Sequence, residues 1–289
     1  MIIKPKSNII NMVIILNNNV KMICPICGKT LTRGEKSFSC IKRHSFDLAK
    51  QGYVNLLPVQ NKKSLHPGDT KEMLLARREF LNSGIYMPIC SSVTETAYKL
   101  LKNTANPQIV DIGCGEGYYT TAIKNTVKGC SCMGIDISKD AVKMACSRDK
   151  EIVWAVATAG CLPVADNSTE LITAMFSLIS KDEYTRILKK GGYIIEVIAG
   201  NNHLIELKHI IYDDVYKQDK KPAYISDSFK EISHEEQEFS FTLDNAQLKN
   251  LLMMTPHLWR IKKGNREKLE QTKNLTLTAH YWIRVLKKL

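Results

Sequence analysis

Apolar residues change their spacing along the chain, and the changes mark its elements. Ile109-Val110-Asp111-Ile112-Gly113 is a short apolar run bounded by glycine, which reads as a buried strand. A helix follows from Tyr118 to about Lys124. A second strand is Cys132-Met133-Gly134-Ile135-Asp136, a third covers 152–158 and a fourth 170–176. A helix end, the turn Lys189-Lys190-Gly191-Gly192 and a fifth strand over 193–198 complete the run. Strands alternating with helices of about ten residues predict an α/β fold with a mostly parallel sheet. Upstream, 71–81 has helical spacing with Asp69 or Thr70 as its cap. Gly84 ends that helix, and Tyr86-Met87-Pro88 opens another reaching about Leu101. Beyond a helix over 203–216 the pattern changes. Residues 231–243 and 275–287 read as long strands, with 244–254 helical between them. Two late strands without a crossover predict an antiparallel hairpin at one edge, making seven strands in all.

Composition narrows the class. The chain has 289 residues, 44% apolar and 24% charged, as expected of a folded protein with a sizeable core. No run of about 18 apolar residues occurs, so no membrane span is expected. Nine cysteines, an odd number, argue for a reducing compartment, and a cytoplasmic protein is expected. The net charge is +12. Residues 21–65 hold nine lysines and arginines against Glu35 and Asp47, so +7 sits in this short stretch. The 224 residues after it carry only +3. A concentrated cationic module favours a nucleic-acid partner over mere solubilisation.

That module also carries metal chemistry. Cys24-Pro25-Ile26-Cys27 is followed by twelve residues, Cys40, three residues and His44. Two residues between thiolates let both sulfurs reach one ion. A hairpin over 30–39 returns Cys40 and His44 to close the tetrahedron. Four protein ligands leave no open position, so Zn2+ here is expected to be structural. The expected division is a tail over 1–21, the zinc module over 22–58, a linker and helix over 59–84, and the main domain over 85–289. The linker includes an exposed basic loop over 61–69.

The glycine turn after the first strand defines the second site. Asp111-x-Gly113-x-Gly115-x-Gly117 has Tyr118 where a nicotinamide fingerprint requires glycine. The pattern is instead that of S-adenosylmethionine enzymes. Asp136, 19 residues past Gly117, can accept both ribose hydroxyls; its alternative role is capping the helix near Ser138. Tyr86, Tyr118 and Tyr119 are aromatics that could stack on adenine or on a target base, although core packing is the commoner role of such residues.

Together these residues resemble the 23S rRNA guanine-N1 methyltransferases, a zinc-ribbon plus class I Rossmann-like methyltransferase family. The similarity runs from Met22 to Lys288. It is carried by Cys24 to Cys27, Cys40 to His44 with Phe46-Asp47, Gln51 to Leu57, Asp111 to Thr120, His203 to Lys208, and Met254-Thr255-Pro256-His257-x-Trp259. The resemblance implies zinc on Cys24, Cys27, Cys40 and His44. It implies S-adenosylmethionine contacts from Tyr86, Asp111, Gly113, Gly115, Tyr119, Thr120, Asp136 and His203. A homodimer gripping a 23S rRNA stem-loop, and a link to macrolide-type resistance, are implied as well. Met175-Phe176-Ser177-Leu178 stands where relatives tend to have an aromatic-Ala-Pro element near the target base, and the turn before strand five lacks their usual proline. No residue is assigned as the general base; Glu206 is a candidate whose alternative is an exposed helix acid. The competing expectations are methylation of a small molecule or protein, and a non-catalytic RNA-binding protein that keeps the fold.

Overall fold

The computed structural model describes residues 19–58, 68–177, 179–215, 222, 226–255, 257–258, 261 and 263–289. The tail to residue 18, the loop over 59–67, Leu178, Tyr216, Pro256 and Trp259, all invoked from sequence, lie outside the described residues.

Three short strands, β1 (Leu31–Arg33), β2 (Ser37–Cys40) and β3 (Ser45–Asp47), form an antiparallel sheet in that order. Next come β4 (Val54–Asn55), α1 (Lys71–Asn82) and α2 (Met87–Leu101). The wound part follows: β5 (Gln108–Ile112), α3 (Tyr118–Thr126), β6 (Ser131–Asp136), α4 (Lys139–Ala145), β7 (Val153–Val156), β8 (Thr169–Met175), α5 (Lys181–Ile187), β9 (Leu188–Ala199) and α6 (Ile205–Ile211). The chain ends with β10 (Phe229–Asp244), α7 (Asn245–Met253), α8 (Lys263–Gln271) and β11 (Asn274–Lys288). The large sheet has the order β10-β11-β9-β8-β5-β6-β7-β4. β4 to β9 pair in parallel, while β11 runs antiparallel to both β9 and β10.

The class I methyltransferase architecture is therefore present, with one strand more than the seven expected. Val54 and Asn55 pair with Ala155 and Val156, and Val54 is fully buried. Two residues are too short a run to register as a strand by spacing. The Lys189–Gly192 turn also differs from expectation. The β8–β9 register jumps from Thr169↔Leu188 to Leu171↔Tyr193, so the turn is a bulge inside a longer strand.

The metal module packs on the sheet through its core. Met22, Cys24, Leu31, Phe38 and Cys40 belong to one buried cluster with Val110, Ile112, Met133, Ala155, Leu162 and Val164. Backbone bonds from Ile23 N to Pro163 O (3.1 Å) and Ala165 N to Lys21 O (2.9 Å) continue the contact. The Lys21 amide donates to Gln108 Oε1 at 2.8 Å, at the start of β5. Among the described residues, no helix is long and apolar enough to cross a membrane.

Candidate metal and cofactor sites

Cys24, Cys27, Cys40 and His44 meet as the spacing requires. Their ligand atoms all lie within 4.8 Å of one another. Cys24 Sγ and Cys40 Sγ are each 3.5 Å from His44 Nδ1, and Cys27 Sγ is 3.7 Å from Cys40 Sγ. Tetrahedral zinc with Zn–S near 2.3 Å and Zn–N near 2.0 Å puts S···S edges at about 3.8 Å and S···N edges at about 3.6 Å. The donor set therefore fits one zinc ion in both chemistry and spacing. Gly28, at φ +69, turns the first knuckle, and Arg43, at φ +64, turns the second. All nine cysteines are free of disulfides.

The second site forms where β5 meets α3. Gly113, Gly115 and Gly117 all have positive φ (+78, +55 and +87), so the turn depends on glycine at each. A Cβ on Gly113 would lie 2.8 Å from Ser177 Cβ, and one on Gly117 would lie 2.7 Å from the Trp154 ring. A Cβ on Gly115 would meet nothing nearer than Arg77 Nη1 at 3.5 Å. The turn is thus tightly packed behind Gly113 and Gly117 and roomier at Gly115, which is itself buried, while Gly113 is exposed.

Asp111 does not face the crevice. It is buried, and its carboxylate accepts hydroxyl donors from Thr120 and from Thr173, the latter at 2.8 Å. Burial pushes its pKa up to about 6, against the pull of those two donors. Thr120 is equally buried, its hydroxyl spent on Asp111. These two residues clamp α3 to β5 and β8 beneath the turn. Asp136 ends β6; Oδ2 accepts from Gly115 N at 2.9 Å and Oδ1 from Ser138 N at 2.8 Å. Burial raises its pKa above the usual carboxylate value. The N-cap of α4 is Ser138, whose hydroxyl accepts from Ala141 N, so Asp136 is not used as the helix cap. The Tyr119 hydroxyl is buried with no hydrogen-bond partner among the described residues. An enclosed hydroxyl of this kind, a carboxylate beside the glycine turn and an exposed Gly113 suit a polar adenosyl ligand.

Tyr86 is buried in an aromatic cluster, edge-on to Phe80 at 4.9 Å and to Phe241 at 5.9 Å. Its ring centroid is 6.3 Å from that of His203, which lies 5.9 Å from Phe176. Phe176 is the unexpected member. It follows β8 with φ +52, a left-handed conformation that disfavours bulky side chains, and stays 41% exposed. Glu206 turns inward: its carboxylate accepts from Thr278 N at 2.9 Å and Thr278 Oγ1 at 2.6 Å. It fastens α6 to β11, neither an exposed acid nor a base at the crevice.

Sequence reasoning also missed two ion pairs. Glu116, inside the glycine turn and 1% exposed, is held by Arg148 Nε at 2.6 Å and Nη2 at 2.8 Å. A lone acid inside a glycine-rich turn was the available signal. Arg77 on α1 pairs with Asp69 at 2.6 Å and donates to Met254 O, tying α1 to the end of α7. Nothing in local spacing indicated that contact.

Comparison with known proteins agrees with this pair of sites. Residues 22–65 match the RlmA N-terminal zinc-ribbon family and residues 109–192 match a methyltransferase domain family. The 23S rRNA (guanine(748)-N(1))-methyltransferase of Streptomyces fradiae is 29% identical over 240 residues, covering 82% of this chain and 85% of its own length. YxjB of Bacillus subtilis (strain 168), also named for 23S rRNA guanine-N1 methylation, is 29% identical over 266 residues, 89% of this chain and 93% of its own. The chain thus carries a zinc-ribbon domain and a methyltransferase domain, and resembles these rRNA-named relatives over most of its length. A demethylmenaquinone methyltransferase of Tropheryma whipplei (strain Twist) is 33% identical, but covers only 34% of this chain. Substrates thus differ among the proteins matched, and the rRNA-named relatives match over most of this chain rather than a third of it. As a methyltransferase this protein uses S-adenosylmethionine, and its four-ligand cluster suits structural zinc.

Proposed function

We propose that the protein transfers a methyl group from S-adenosylmethionine to N1 of a guanine in a 23S rRNA stem-loop. The observation that carries this reading is one chain joining a four-ligand zinc ribbon of strongly basic composition to a glycine-turn crevice ending at Asp136. S-adenosylmethionine supplies an electrophilic methyl on a sulfonium. Asp136 holds the ribose hydroxyls. Gly113 and Gly115 let the backbone approach, and Tyr119 offers its buried hydroxyl. Asp111 and Thr120 act from beneath, by holding α3 in place. Tyr86 and His203 form the aromatic wall, with Phe176 extending it toward the incoming base.

In-line displacement requires the nucleophile about 3 Å from the methyl carbon and collinear with the breaking bond. Guanine N1 carries a proton that must leave, and it lies on the pairing edge, so the base must be unpaired first. A basic ribbon gripping the phosphate backbone meets that need without reading sequence. We assign residues 22–58 to the zinc module, 59–84 to the linker and first helix, and 85–289 to the methyltransferase unit, and propose that the enzyme works as a cytoplasmic homodimer. The link to macrolide-type resistance belongs to the same reading.

The test is primer extension and mass spectrometry on rRNA from a strain lacking the gene. An N1-methylguanine stop should vanish, and its persistence would reject the assignment. Titration calorimetry with S-adenosylmethionine separates the enzyme from a non-catalytic RNA-binding protein, which would give no heat even with RNA present. D136A should weaken donor binding at least tenfold with zinc content intact.

A further inference from the structure

Both knuckles of the ribbon carry a large apolar residue outward. Ile26, between Cys24 and Cys27, is 59% exposed, and Ile41, directly after Cys40, is 88% exposed. They flank Cys27 and Cys40, whose sulfurs are 3.7 Å apart, so one metal centre holds both side chains on neighbouring turns. The rest of the ribbon's larger apolar residues point inward: Leu31 and Phe38 are buried in the cluster shared with the sheet. Backbone bonds fix the second knuckle, with Arg43 N donating to Cys40 O at 2.8 Å and Cys40 N to His44 O at 3.0 Å. Two exposed isoleucines on a rigid scaffold lose nothing further in backbone entropy when something covers them.

The charges around them select the occupant. Lys29 follows the first knuckle, and Lys42 and Arg43 lie within the second, all three exposed. No acid lies between Met22 and Gly34 or between Cys40 and Phe46. An apolar protein surface would gain nothing from these cations. Unstacked nucleobases beside phosphates match both features, since apolar wedges enter between bases while lysine and arginine neutralise the backbone.

We propose that Ile26 and Ile41 form a two-residue wedge that packs against unstacked bases in an RNA hairpin loop, with Lys29, Lys42 and Arg43 on the flanking phosphates. The wedge rests on the RNA reading above and adds its contact residues. It accounts for how a base near the ribbon is kept open while the target guanine reaches the crevice.

The experiment uses the full-length zinc-loaded protein and two probes: an RNA hairpin with 2-aminopurine in its loop, and a blunt duplex of the same stem. I26S/I41S should bind the hairpin about tenfold more weakly, with the rise in 2-aminopurine fluorescence lost. Its affinity for the duplex, the salt dependence of binding, the zinc content and the S-adenosylmethionine affinity should stay as in the unaltered protein. I26L/I41L should restore hairpin binding. K42Q/R43Q should weaken hairpin and duplex alike and flatten the salt dependence by about two counterions. Hairpin binding by I26S/I41S equal to the unaltered protein, or equal losses on hairpin and duplex, would overturn the wedge while leaving the RNA reading standing. If the unaltered protein binds neither probe, the RNA reading itself falls and the wedge falls with it.

Discussion

The Glu116 carboxylate, buried inside the glycine turn, is gripped from two sides by the Arg148 guanidinium just beyond α4. Arg148 Nε also donates to Glu116 O at 3.2 Å, and its guanidinium lies 5.3 Å from the Tyr118 ring centre. One arginine therefore ties the turn, the start of α3 and the end of α4 together. Removing it leaves the buried carboxylate with only the more distant Arg78 guanidinium, at 3.6 Å, a loss of up to about 3–5 kcal/mol in typical cases. R148A should lower the urea midpoint markedly and weaken donor binding. E116Q/R148M should recover part of the stability; a midpoint as low as that of R148A would show that the charge was not the cause.

Asp111 gives the protein an acid-side stability signature. Its pKa is raised to about 6 in the folded chain by burial, against an ordinary aspartate value of 3.8. The folded state holds that proton more tightly than the unfolded state. This contribution is therefore most favourable below pH 4, falls as the pH rises to about 6, and is flat beyond. The change is roughly 3 kcal/mol at about 1.4 kcal/mol per unit. D111N should flatten the stability curve between pH 4 and 6 by that amount, measured by chemical denaturation against pH. An unaltered slope would place the effect elsewhere.

Zinc removal should reach past the ribbon. Cys24 and Cys40 are packed in the same buried cluster as β5, β6 and β7 residues. Chelation, or C40S, should lower the melting temperature of the whole protein by several degrees in one transition. Two separate transitions, with the main one unmoved, would show that the ribbon unfolds alone.

Phe176 holds a left-handed backbone at the crevice mouth, a conformation that costs of order 1–3 kcal/mol. F176G should therefore preserve or raise stability and leave donor affinity unchanged, while kcat/KM for RNA drops at least tenfold. Unchanged RNA turnover would remove Phe176 from base positioning.

How much of this was legible in the sequence depends on the range of the interaction. The zinc ligands were readable because coordination ties chemistry to spacing within about twenty residues. The glycine turn and Asp136 were readable because a strand–turn–helix unit is local. The ends of β10 and β11 came within about two residues of expectation, since their alternation is long. By contrast, β4 exists only because β7 offers an unpaired edge, Glu116 is burdened with a charge whose partner lies 32 positions on, and Glu206 found Thr278 72 positions away. The inward turn of Asp111 and Thr120 was equally hidden, because the motif names both residues without saying which side of the turn each one serves.

β4 has a mechanical consequence. The strand hydrogen-bonds the segment leaving the ribbon to β7, beside the same β6 that carries Asp136, while Lys21 and Ile23 lash the other end to the loop before β8. Among the described residues the appendage is thus anchored at both ends, which fixes the span from its knuckles to the Asp136 end of the crevice. Under the proposed function, such a caliper would select a nucleotide by how far along the folded RNA it lies, whatever letters surround it.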